Sequence, residues 1–133
     1  MNALQAFLGR HESQTWALFR IFTAFVYACH GAQKLFGVLG GHTVYDNPLL
    51  VTAGVIEFGG GTLIALGLLT TPVAFLASGE MAVAYFKVHL PNGFWPILNH
   101  GELPVLFCFA FLAIAARGAG VWSVDSKLAS GRR

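Results

Sequence analysis

The chain has 133 residues, enough for one domain, and its 56% hydrophobic against 11% charged residues, with a mean hydropathy of +0.65, lie outside ordinary soluble composition. An integral membrane protein is predicted. The net charge of +2, with no long basic run, excludes a protein that tracks nucleic-acid phosphates.

Residues 1–14 carry Leu4, Phe7 and Leu8 on one side and predict a short amphipathic helix at the cytoplasmic interface. They lack an apolar core followed by a small-residue cleavage site, so no removable signal peptide is expected. The first predicted span covers about residues 16–36. At about 100° per residue, Arg20, Thr23, Tyr27, His30, Gly31 and Lys34 share roughly a third of its circumference, and Cys29 points away. An ionised group in hydrocarbon costs roughly 2.5 kcal/mol or more, so this stripe reads as one wall of a buried site.

Gly37, Gly40, Gly41, Asp46 and Pro48 mark a loop. The second span, 49–69, is interrupted by Glu57, with Gly54, Gly59, Gly60 and Gly61 around it to admit a neighbouring helix. After a tight turn at Thr70 and Thr71, the third span, 72–89, carries Glu80 and, seven residues later, Lys87 on one face. Residues 91–102, PNGFWPILNHGE, are too apolar for a simple loop and too rich in Pro and Gly for a helix. They predict a re-entrant or interfacial lid with Trp95 at headgroup depth. The fourth span, 102–117, starts with Pro104 in its first turn.

Arg10 precedes the first span, and Arg117, Lys127, Arg132 and Arg133 follow the fourth, while the first and third loops contain no Lys or Arg. Both termini are therefore expected in the cytoplasm. The expected fold is all-α: one domain, 1–133, forming a membrane four-helix up-down bundle with the lid between helices 3 and 4 and a basic C-terminal tail. Cys29 and Cys108 lie far apart and outside any C-x-x-C, so they read as buried free thiols.

Depth along the spans sorts the ionisable groups into two layers. Arg20 and Glu80 fall in the inner layer, about 6 Å apart along the membrane normal, and are expected to form a structural ion pair. The outer layer holds His30 and Glu57, with Lys34, His89, Asn99, His100 and Glu102 above them. His30 and Glu57 are the candidate catalytic pair for proton exchange, because imidazole titrates near neutral pH. Lys34, His89, Trp95, Asn99, His100 and Glu102 are the candidate substrate-binding groups. Two alternatives stay open: Glu57 binds His30 or Lys34 only to fix helix packing, and Asn99 caps the fourth helix with Glu102 at its positive end. No metal site is expected, since neither H-x-x-x-H nor H-E-x-x-H spacing occurs. Haem on His30, His89 or His100 remains an alternative without motif support.

The stretches HGAQKLFG (30–37), GVIEFGGG (54–61), VHLPNGFWPILNHGELP (88–104) and GAGVWSVD (118–125) resemble, in order and spacing, the DoxX family. The positions that match its pattern are Arg20, His30, Gly31, Gln33, Lys34, Gly54, Glu57, Glu80, His89, Asn99, Glu102 and Asp125. The family's Asn-Gly-Gly-Glu stands here as Asn99, His100, Gly101 and Glu102. Asp125 reads as the cap of a short terminal helix. The resemblance implies a small four-helix protein of the bacterial inner membrane, linked in relatives to quinones, thiosulfate oxidation or redox defence.

The leading expectation is a quinone- or quinol-interacting membrane component with an outer-leaflet polar pocket. In it His30, Lys34 and Glu57 address the headgroup, and Phe36, Phe58, Phe94 and Trp95 stack on the ring. The chain has no dinucleotide fingerprint, thiol pair or iron–sulfur cysteine set, so oxidoreductase activity requires a partner subunit or a bound cofactor. The alternative is a non-enzymatic accessory or assembly subunit that docks through Gly54, Gly60 and Gly61, and a homo-oligomer is a further possible partner state. A narrow transporter ranks last.

Overall fold

The computed structural model describes residues 1–132, and every regular element among them is helical. Arg133, counted above in the basic tail, lies outside the described residues. Helix α1 (Ala3–Arg10) starts where the Asn2 side chain accepts from the Gln5 amide at 2.7 Å, and it buries no side chain. Helix α2 (Glu12–Phe36) is 25 residues long and ends at Gly37, whose left-handed φ of 64° suits glycine. It begins before the predicted boundary because Glu12 is tied to the far end of the chain. The Arg117 Nη2 donates to Glu12 Oε1 at 2.6 Å and its guanidinium lies 4.4 Å from the Trp16 ring centre.

The second long segment comprises α3 (Pro48–Val55), a π-helical turn (Ile56–Gly60) and α4 (Gly61–Leu66). Asn47 caps α3 by accepting from the amides of Leu49 and Leu50, with Pro48 in the first turn. The segment ends at Leu66 rather than 69 because Gly67, at φ 70°, turns the chain. Helix α5 (Thr70–Ala84) leads into a second π-helical turn (Tyr85–His89) and a 3-10 turn (Leu90–Asn92). Short α6 (Pro96–Asn99), then α7 (Glu102–Arg117) and α8 (Val124–Ser130), complete the chain.

Two continuous segments, Pro48–Leu66 and Thr70–Asn92, are long and apolar enough to cross a membrane. Helix α2 is longer but carries Arg20 and Lys34, and α7 has 16 residues. Helix α2 packs on α3, the first π turn and α4, while α5 packs along α7. The core between them holds Ala24, Tyr27, Ile64, Ala77, Phe111 and Ile114, with the Tyr27 and Phe111 rings edge to face at 4.6 Å.

Small residues set how closely α2 approaches the second segment. A Cβ on Gly31 would collide with the Phe58 amide and the Gly54 carbonyl, and one on Gly61 would sit 2.8 Å from the Ala24 carbonyl. Gly54 and Gly61 therefore receive the chain's own α2, which corrects their assignment to an outside partner.

The expected Arg20–Glu80 ion pair does not form. Arg20 is fully buried, and its five N–H donors meet five backbone carbonyls. Nε donates to Ala119 at 2.8 Å, Nη1 to Ile64 at 2.8 Å and Ala65 at 2.6 Å, and Nη2 to Val121 at 3.2 Å and Trp122 at 2.9 Å. The end of α4 and the Gly118–Ser123 stretch after α7 leave carbonyls without helical partners, and the guanidinium satisfies them. Asp125 also departs from expectation. Ser123 caps α8, whereas the Asp125 carboxylate accepts from the amides of Leu69 and Thr70, both at 2.9 Å, at the start of α5. Burial pushes the Asp125 carboxyl up, but those amides and the nearby Arg20 charge outweigh it and hold it below the usual aspartate range.

Candidate functional site

At the opposite end of α2 from Arg20, a cavity of about 890 Å³ lies among α2, α3, α5 and α7. Its walls are mainly aliphatic, and the polar groups reaching it are Tyr27, His30, Lys34, Thr52, Glu57, Glu80, Lys87, His89 and His100. Tyr27, His30 and Lys34 come from the α2 stripe, whose three- and four-residue spacing keeps them on one face.

The close approach at Gly31 and Gly54 brings Lys34 over the second segment, where Lys34 Nζ donates to Glu57 Oε2 at 2.7 Å. Glu57 is 4% exposed at its side chain and Lys34 26%. Glu57 lies in the first π turn, where the wider winding rotates later residues relative to an ideal α-helix. On α5, Glu80 accepts from the Tyr27 hydroxyl at 3.0 Å. The second π turn then carries Lys87 and His89 to the same cavity as Glu80, although an ideal helix would turn His89 away. His30 stands edge-on to Phe107, with ring centres 6.1 Å apart.

The lid meets the cavity at His100. His89 Nδ1 lies 3.0 Å from the Asn99 carbonyl, so Nδ1 carries the proton and donates. The buried Asn99 side chain donates to the Gly93 carbonyl at 2.7 Å and the Tyr85 hydroxyl at 3.3 Å, and accepts from the Gly101 amide at 2.8 Å. The Tyr85 hydroxyl in turn donates to the Phe94 carbonyl. Asn99 thus fastens the lid to the second π turn and neither lines the cavity nor caps α7, whose N-cap is Gly101.

Of the residues singled out from sequence, the structure gathers His30, Lys34, Glu57, His89 and His100 at the cavity. Asn99, Glu102 and Trp95 stand outside its lining: Glu102 is exposed in the first turn of α7, and Trp95 is 64% exposed on the lid. Tyr27, Lys87 and Phe107 join the site without a binding or catalytic role expected from sequence, and Glu80, expected to pair with Arg20, joins it too. The signal for Tyr27 was its place in the α2 stripe, and for Glu80 and Lys87 their shared face. Phe107 carried none.

Two comparisons bear on this architecture. The DoxX family model matches residues 15–90, which include the α2 stripe, both π turns and all but His100 of the polar cavity groups. An uncharacterized protein of Haemophilus influenzae is 41% identical over 127 residues, covering 90% of this chain and 95% of that relative. No solved structure matches. With the Lys34–Glu57 and Tyr27–Glu80 contacts both built from residues inside the matched region, the chain belongs to the DoxX family of membrane proteins.

Proposed function

We propose that this protein is a quinone- or quinol-interacting component of a bacterial redox or oxidative-stress system. It sits in the inner membrane with α2, the α3–α4 segment, α5 and α7 as four spans in up-down order. Both termini lie in the cytoplasm, consistent with Arg10, Arg117, Lys127 and Arg132 at the Arg20 end of the chain's path. The cavity then lies toward the outer leaflet.

The observation that carries this reading is the presence of two hydrogen-bonded polar pairs, Lys34–Glu57 and Tyr27–Glu80, in one cavity with mainly aliphatic walls. Its volume of about 890 Å³ falls in the range of small-molecule sites. Aliphatic walls suit an isoprenoid tail, and the two pairs offer donors and acceptors to the oxygens of a ring. The residues therefore fit the group. When bound, a quinone supplies the two-electron, two-proton redox chemistry.

The chain supplies binding and proton handling. Lys34 Nζ has three N–H groups, one directed to Glu57, so another can donate to a headgroup oxygen. Glu57 accepts a proton from that headgroup or returns one, with Lys34 balancing the carboxylate charge. His30 lies one helical turn from Lys34 and provides a second proton acceptor. Phe107 packs beside it and keeps water off that wall. Cys29 and Cys108 are separate free thiols, so electron transfer requires a partner subunit or a further bound cofactor.

Mass spectrometry of organic extracts from protein purified in mild detergent, with a visible spectrum, tests this reading. The expected result is stoichiometric quinone in the wild type and its loss in Glu57→Gln. Quinone-free, colourless protein that co-purifies with a redox-active subunit would replace the reading with an accessory role. A Soret band would replace it with haem binding.

A further inference from the structure

We propose that the cavity is loaded sideways from the lipid phase, through a portal between α3 and α5, by an amphipath with a single apolar tail. The tail lies in the portal while the headgroup reaches Lys34 and Glu80. This rests on the reading of the cavity as a ligand site, but not on the ligand being a quinone.

Three observations converge on it. First, α3 and α5 are splayed. Helix α5 packs against α4 and against the first π turn, at the level of Glu57, yet α3 does not pack closely on α5. The two segments join at Gly67–Leu69 and diverge toward Pro48 and His89. Second, the gap is apolar and leads to charge. Leu49, Leu50 and Ala53 border it on one side and Phe75, Leu76 and Val83 on the other, and all six line the same cavity as Lys34 and Glu80. Gly79 stands in this border next to Glu80, and a Cβ built on it meets nothing within 4 Å. Third, at the end of the cavity lined by His89 and His100, the lid is fastened to the second π turn by the Asn99 and His89 hydrogen bonds. A water-borne ligand would have to break that fastening, whereas a lipid-borne one meets an open apolar gap.

A ligand that arrives this way carries an apolar tail narrow enough for one groove between two helices. The chemical class is therefore a single-tailed amphipath with a hydrogen-bonding headgroup.

The test is photolabelling in phosphatidylcholine nanodiscs with a diazirine-bearing single-chain fatty alcohol, followed by mass-spectrometric mapping. The expected wild-type result is label on Ala53 and Phe107, inside the cavity, as well as on lipid-facing Phe22 and Phe109. Gly79→Phe places a ring in the open space and should reduce cavity labelling by about fivefold while leaving Phe22 and Phe109 unchanged. Gly79→Leu, a milder block and a good helix former, should give an intermediate loss. Unlabelled Ala53 and Phe107 in the wild type would overturn the portal, as would cavity labelling indifferent to both variants. Competition with a decyl-tailed benzoquinone addresses the quinone reading separately. If Gly79→Phe blocks labelling but the benzoquinone does not displace the probe, the portal stands and the quinone assignment falls.

Discussion

The Tyr27 hydroxyl donates to Glu80 at 3.0 Å, reaching from α2 to α5 and joining a buried core aromatic to a carboxylate on the cavity wall. Tyr27→Phe removes this bond and should destabilise the protein by about 1 kcal/mol. Glu80→Leu should cost more, because the phenol is then left without its acceptor. A double-mutant cycle read by unfolding in detergent should show coupling between the two positions. Strict additivity would mean that the bond contributes nothing.

Lys34 and Glu57 form the more charged pair of the site. Glu57→Ala strands the lysine against apolar walls, and the expected loss is about 3 kcal/mol, the low end for a broken buried pair, because Lys34 retains 26% exposure. The double variant Lys34→Met with Glu57→Leu should recover most of that stability while abolishing ligand binding. Thermal unfolding alongside a binding assay separates the two effects. A double variant as unstable as Glu57→Ala would show that the pair organises the fold beyond its own charges.

The α2 crossing rests on the absence of a side chain at Gly31. Gly31→Ala forces its Cβ into the Phe58 amide and the Gly54 carbonyl, which are backbone and cannot swing aside. A loss of roughly 3 kcal/mol is expected, together with displacement of Lys34 from Glu57. Gly9→Ala on α1 is the control, since a Cβ there meets nothing within 4 Å and helix propensity favours it by roughly 0.5–1 kcal/mol. Melting temperatures of the two variants should move in opposite directions.

Acid should loosen the end of the molecule that holds Asp125. Its carboxyl titrates below the usual aspartate range in the folded protein, so the unfolded chain binds the proton first as pH falls. The contribution to stability is complete above roughly pH 4 and is lost as pH drops through the folded-state value. Asp125→Asn should therefore lower the melting temperature near neutrality and flatten its dependence on pH in the acid range. Parallel pH curves for the variant and the wild type would remove Asp125 from this role.

The helical class and the polar face of α2 were legible because a 3.6-residue period repeats through Arg20, Tyr27, Gly31 and Lys34. What the period could not convey was where it breaks. The π turns at Ile56–Gly60 and Tyr85–His89 shift the facing of Glu57, Lys87 and His89, and no sequence rule used above marks them. Arg20 was misassigned for another reason. Charge was matched with charge, whereas the structure offers it carbonyls, which every residue carries and no sequence pattern distinguishes. Asn99 was read as a contact with ligand or a cap, and its polarity serves instead to fasten a turn-rich segment whose backbone cannot satisfy itself.

The five-carbonyl cradle of Arg20 also sets an order of events during synthesis. The nearest of its acceptors lies 44 residues down the chain and the farthest 102. Helix α2 must therefore leave the ribosome with its guanidinium unsheltered, and three of the five acceptors emerge only after α7. A nascent chain stalled before Ala119 would hold a guanidinium that lacks three of its five acceptors.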